Sequence, residues 1–201
     1  MVATNLKISL LENTPFLVDG KFNLEKAMDF SGKVGGICYS EAGLIKCLDE
    51  EKETTDKRVN MMTSGEHQSV FEHVNITMYI KDSSKMFDMV MNNEHQYSTS
   101  ERSLRYTTIK GDECNLSPRE IELYQKWHKI FFDKISEAYG QIFKPGKIDK
   151  LAKENARYLT SVFINTEMVH TIPLAQLNRI LRYMQDYIDH AKNTEFDKKL
   201  C

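Results

Sequence analysis

The nine residues Ser98-Thr-Ser-Glu-Arg-Ser-Leu-Arg-Tyr106 bring together three serines, a threonine, a tyrosine, a glutamate and two arginines. Run as an extended chain, they alternate. Glu101, Ser103 and Arg105 share one face; Arg102, Leu104 and Tyr106 share the other. The first face can read an anion or a nucleotide. Arg105 can fork onto a phosphate, Ser103 can donate to one, and Glu101 can accept from a sugar hydroxyl or a ring N–H. The same residues also suit a polar loop with surface ion pairs, which is the commoner use of exposed charge.

The rest of the chain bounds that chemistry. Its 201 residues predict one domain, 1–201, with a core of its own. A hydrophobic fraction of 41% and a charged fraction of 28% read as soluble and globular. The net charge of −2 supplies no basic field for a nucleic acid polymer or an anionic membrane, yet leaves room for a small anion held by a few arginines. Cys38, Cys47, Cys114 and Cys201 form no Cys-x-x-Cys pair and read as reduced thiols. No basic start leads an apolar segment, and no apolar run approaches a membrane span. A cytoplasmic protein is expected. The six histidines are spread along the chain and predict no metal site; His67 and His73 read as structural.

Elements that would position the stretch follow from periodicity. A first strand is expected over 6–11 and a helix over 23–31 capped by Asn23, with Gly32, Gly35 and Gly36 punctuating the chain after it. Residues 41–63 suit one or two helices capped by Thr54 or Thr55, with Val59 and Met62 inward. Val74, Ile76, Met78 and Ile80 alternate with Asn75, Thr77, Tyr79 and Lys81, predicting a strand with one buried face. Asp82 or Ser83 would cap a helix over 84–94 whose Met86, Phe87, Val90 and Met91 pack inward. Ser117-Pro118-Arg119-Glu120 is a capping box with proline at the first helical position, opening a helix to about Gln141 that Pro145-Gly146 stops. Asp149 would cap another helix to Leu159. A strand is expected over 162–172, and then a helix burying Leu174, Leu177, Ile180, Leu181, Met184 and Ile188. The fold class this predicts is mixed α/β, with an antiparallel-containing sheet flanked by helices.

Several of these segments, taken in order from about Gly36 to Met184, resemble the flavin-dependent thymidylate synthase family. Gly65-Glu-His-Gln-Ser-Val-Phe-Glu-His73 and the strand after it resemble the family's Phe-Glu-His segment. Ser98…Glu101-x-Ser103-x-Arg105-Tyr106 resembles the second half of its signature, Arg-His-Arg-x-x-Ser-x-Asn-Glu-x-Ser-x-Arg-Tyr. Asn155-Ala-Arg157, Thr166, Thr171 and the Leu177…Leu181 helix resemble its C-terminal block. The resemblance implies dUMP bound by Glu101, Ser103, Arg105 and Arg157, and FAD touched by Ser69 and His95. It also implies NADPH and methylenetetrahydrofolate as co-substrates and a homotetramer with shared active sites.

The chain departs from the family pattern on the flavin side. Aligned back from Tyr106, Arg-His-Arg falls on Asn93-Glu94-His95, and a family glutamine falls on Val90. The Asn-x-Arg flavin contact falls on Pro173 and Ala175, the next family asparagine on Arg179, and the arginine that assists ionisation of uracil N3 on Met184. Three readings stay open: the family's methylation of dUMP, a related modification of a nucleotide such as dCMP, and a non-catalytic nucleotide-binding relative without FAD. Cytosine N3 carries no proton, so a methionine in place of that arginine suits a dCMP-like substrate.

Overall fold

The computed structural model describes residues 6–41, 43–65, 67–93, 96–109, 115–192, 194 and 197. Four strands form one antiparallel sheet in the order β1, β4, β6, β5. They are β1 (Lys7–Leu10), β4 (Asn75–Ser84), β5 (Ser98–Glu101) and β6 (Asn165–Pro173). A small hairpin, β2 (Leu17–Val18) and β3 (Lys21–Phe22), stands apart from the sheet. The helices are α1 (Leu24–Gly35), α2 (Gly43–Leu48), α3 (Lys52–Ser64), α4 (Lys85–Met91), α5 (Pro118–Tyr139), α6 (Pro145–Ala156) and α7 (Leu174–His190). This is the mixed architecture that the sequence patterns predict.

Alternation in β4 and β6 builds the core. Ile76, Met78 and Ile80 lie opposite Ile172, His170 and Met168, and all six side chains are buried. Met91 of α4 and Ile180 of α7 close the same cluster, with Phe87, Val90, Leu174, Leu177 and Met184 packed on it. Leu181 and Ile188, expected inward, are about half exposed. The buried stripe of α7 is therefore narrower than the run of apolar residues in its sequence. The opposite face of β4 is not all solvent. Thr77 is buried because the turn after β1 folds over it: Thr14 Oγ1 donates to Thr77 O at 2.9 Å, and the Thr77 and Thr171 hydroxyls meet at 3.0 Å.

Several boundaries differ from the periodicity reading. Asn23 caps α1 by accepting from Lys26 N at 2.9 Å, but the helix continues through Gly32 to Gly35. Those glycines are there for close approach: a Cβ on Gly32 would stand 2.6 Å from Val59 Cγ2 and 2.8 Å from Thr55 Cγ2 of α3. Neither Thr54 nor Thr55 caps α3, whose cap position is Glu51; Thr55 is buried and donates to Glu50. Strand β4 runs on to Ser84 through a bulge at Asp82 (φ 57°), so Ser84, not Asp82 or Ser83, caps α4. The capping box on α5 forms as its sequence predicts. Pro145 opens α6 instead of ending α5, since proline fits the first helical turn, where its missing N–H has no partner to lose.

Candidate functional site

Strand β5 is the outer strand beside β6, and it ends at Glu101. The extended run expected through Tyr106 stops there. Ser103 O accepts from Tyr106 N and Thr107 N, both at 3.2 Å, and Ser103 Oγ accepts from Arg105 N at 3.2 Å. Residues 103–106 are thus a turn, and a serine that bonds its own local backbone favours a turn over a strand. Glu101, Ser103 and Arg105 therefore do not lie on one strand face. They follow each other around a bend.

The bend packs against one face of α6. Lys150, Glu154 and Arg157 recur at i, i+4 and i+7 and so stack on that face. Lys150 Nζ donates to the Tyr106 hydroxyl at 2.7 Å and lies 4.3 Å from the ring centroid. That ammonium pulls the Tyr106 phenol below its ordinary pKa. Glu154 pairs with Nε of Arg105. Arg157, at the end of α6, rests its guanidinium 5.5 Å from the Tyr158 ring and pairs with no carboxylate among the described residues. Arg105 and Arg157, far apart in sequence, are thereby carried on neighbouring elements. Glu154 thus fixes Arg105 on the same face of α6 that ends in Arg157.

Glu101 faces the other way. Register with Met168 puts its side chain on the core face of the sheet, beside α4. There it pairs with Lys85, whose Nζ also donates to Arg102 O at 2.9 Å. The Arg102 side chain turns to the opposite face and pairs with Glu167, which accepts from the Tyr79 hydroxyl at 2.6 Å. Tyr79 and Arg102 hold the Glu167 carboxyl below the usual range against the upward push of burial.

The flavin-side expectations land elsewhere. Ser69 is exposed on a short helical turn, Gln68–His73. Glu72 of that turn accepts from Gln176 Nε2 at 3.1 Å, and Gln176 Oε1 accepts from Arg179 at 3.0 Å, so Ser69 and Arg179 flank one junction. Pro173 and Ala175 are buried and bring no donor side chain. Met184 packs on the central core. His95, like Glu94, lies outside the described residues. His170 carries none of the sequence expectations. It is fully buried, neither ring nitrogen has a partner among the described residues, Tyr97 stacks 5.3 Å away, and burial lowers its pKa. A sequence signal for it exists: a histidine in register between Met168 and Ile172 on a core face.

A model of the thymidylate synthase complementing protein family matches residues 25–190. This chain belongs to that family. Among curated members, the flavin-dependent thymidylate synthase of Clostridium tetani is 29% identical over 197 residues, covering 89% of this chain and 74% of the relative. That of Geobacter sulfurreducens is 25% identical, covering 86% and 70%. A solved UMP/dUMP methylase, PolB from Streptomyces cacaoi bound with 5-Br dUMP, shares the fold: TM-score 0.53, 12% identity, 92% of this chain and 77% of that one. The thymidylate synthase complementing proteins are methyltransferases, and this chain is an enzyme of that kind. Among its described residues no helix is long and apolar enough to cross a membrane.

Proposed function

We propose that this protein transfers a one-carbon unit from methylenetetrahydrofolate to C5 of dUMP, with FAD and NADPH. The observation that carries this reading is that Arg105 is held at Nε by Glu154, one turn from Arg157 on the same face of α6, and that Arg157 has no carboxylate partner among the described residues. Two guanidinium groups presented this way suit a nucleotide monophosphate, since each offers a planar fork to a phosphate. Ser103 lies on the bend between them and Glu101, and its hydroxyl can donate to the same phosphate. Glu101 accepts from the sugar hydroxyl or a ring N–H, with Lys85 holding the carboxylate in place.

The residues present fit a flavin, with fewer cations than the family pattern. Orphaned nitrogens on a buried histidine call for a partner, and His170 lies under Tyr97, two residues beyond the Asn93–His95 triplet. Ser69 and Arg179, flanking one junction, supply a hydroxyl and a guanidinium for phosphate oxygens; His95 stands two residues before Tyr97 in sequence. When bound, FAD supplies the hydride relay from NADPH to the transferred carbon. The protein's own part is to fix the nucleotide and exclude water. The chain acts as one domain, 1–201, in a cytoplasmic homotetramer.

Two further readings have specific support. Met184 packed on the core leaves no cation at the family's N3 position, which favours a base such as cytosine in dCMP. Buried Pro173 and Ala175 favour a relative that keeps its nucleotide and has lost FAD. A visible absorption spectrum with and without added FAD, followed by dUMP and dCMP titrations, separates them. The flavin reading expects a flavin band that shifts with dUMP. A protein that stays colourless with added FAD would overturn it.

A further inference from the structure

The nucleotide reading leaves a buried acid unused. Asp88 of α4 is 1% exposed. Its Oδ1 accepts from Ser83 Oγ at 2.8 Å, while its Oδ2 has no donor among the described residues. Lys85 stands one turn before Asp88 on α4 and pairs with Glu101, which brings the Glu101 carboxyl to the face of α4 that carries Asp88, and Glu101 raises the Asp88 carboxyl. Two ionised carboxylates meeting in a buried place are both acceptors and repel each other. A proton on one of them makes a donor–acceptor pair and satisfies the orphaned oxygen.

We propose that Asp88 is a positioning residue for nucleotide binding: it keeps a proton and donates it in a hydrogen bond to Glu101, holding that carboxylate between Lys85 and the ligand. This rests on the nucleotide reading of Glu101. Among the described residues, the groups placed around Asp88 are few. Strand β4 brings Ser83, α4 brings Lys85, and β5 brings Glu101. On β6, Thr166 O accepts from Ser83 Oγ at 3.4 Å and Met168 lies opposite Glu101, while Glu167 turns to the opposite face with Arg102. Burial drives the Asp88 carboxyl upward, Ser83 pulls it back, and Glu101 raises it again, to about 7. With the proton in place, Lys85 and Glu101 cancel. Without it, the cluster carries one uncompensated negative charge in a site meant for an anion.

The sign follows. Nucleotide affinity is highest below neutral pH and falls as Asp88 ionises. The ligand phosphate's own second ionisation, near pH 6, changes binding to every variant alike.

The test has two parts. Selective 13C labelling of aspartate, with Asp88→Asn for assignment, follows the Asp88 carboxyl against pH in the ligand-free protein. A midpoint near neutrality that drops in Glu101→Gln supports the shared proton. A midpoint in the ordinary carboxylate range overturns it. Calorimetry then measures dUMP binding at pH 6.0 and 8.5. Wild type should weaken on the order of fivefold, the effect of one extra charge a few ångströms away in a wet site. Asp88→Asn, whose amide donates like the protonated acid, should bind at pH 6.0 as wild type does and keep that affinity at pH 8.5. The same pH profile in Asp88→Asn as in wild type would overturn the positioning role. No dUMP binding by wild type at either pH, with the carboxyl still titrating near neutrality, would sink the nucleotide reading while supporting the Asp88–Glu101 pair.

Discussion

At the scale of single residues, what matters is which partner each charge has. Arg105 is held at Nε, and among the described residues Arg157 has no carboxylate to release before it meets a phosphate. Replacing Arg157 with alanine should raise the dUMP dissociation constant roughly tenfold to hundredfold, the worth of a charge-assisted fork. Arg105→Lys should lose nearly as much, because a lysine keeps the charge and not the fork. Unchanged calorimetric affinity in both variants would remove the phosphate site from the bend. Glu120 makes a different pH test. Burial pushes its carboxyl up, but donors from Ser117 and Ser161 outweigh that and hold it at about 2. Its folded-state value lies below its unfolded one, so its contribution to stability is present above about pH 4.3 and is lost as pH falls toward 2. Glu120→Gln should therefore lower the melting temperature at pH 7, with the gap closing near pH 2. Equal melting of the two proteins at pH 7 would refute this.

At the scale of elements, local signals act where a single helix or strand suffices. The capping box on α5 and the period of two in β4 are legible because each is satisfied by neighbours in sequence. The glycines of α1 are not. As punctuation they end a helix; in the structure they let α1 and α3 approach. Gly32→Ala should destabilise the protein by about 1–3 kcal/mol, because the new Cβ meets two β-branched side chains with little rotamer freedom. Urea unfolding would show this as a lower midpoint at unchanged slope; an equal midpoint would mean that the two helices can spread apart without cost. The turn at 103–106 was likewise hidden, since alternating residue types fit a strand until Ser103 bonds its own backbone.

Taken as a whole molecule, a nucleotide that binds only the folded state must raise its stability. At a dUMP concentration a hundred times the dissociation constant the gain should be about 2.7 kcal/mol. It should appear as a higher melting temperature in wild type and vanish in Arg157→Ala at the same concentration. Light scattering should give four times the 23.4 kDa chain mass if the homotetramer forms. A monomer mass at micromolar concentration would exclude a shared active site.

The sequence by itself determined the mixed sheet-and-helix class, the strand that becomes β4, the start of α5 and the family. These rest on period, caps and motif order, which are properties of neighbours along the chain. It also named Glu101, Ser103, Arg105 and Arg157 as candidates. Only the tertiary structure decided that Arg105 leans on Glu154, that Glu101 turns inward to Lys85, and that His170 lies buried under Tyr97. Each of those pairings joins residues on different elements. The sheet register and the packing of α4 and α6 choose them, and a charge or a histidine in one segment does not specify the partner it will meet.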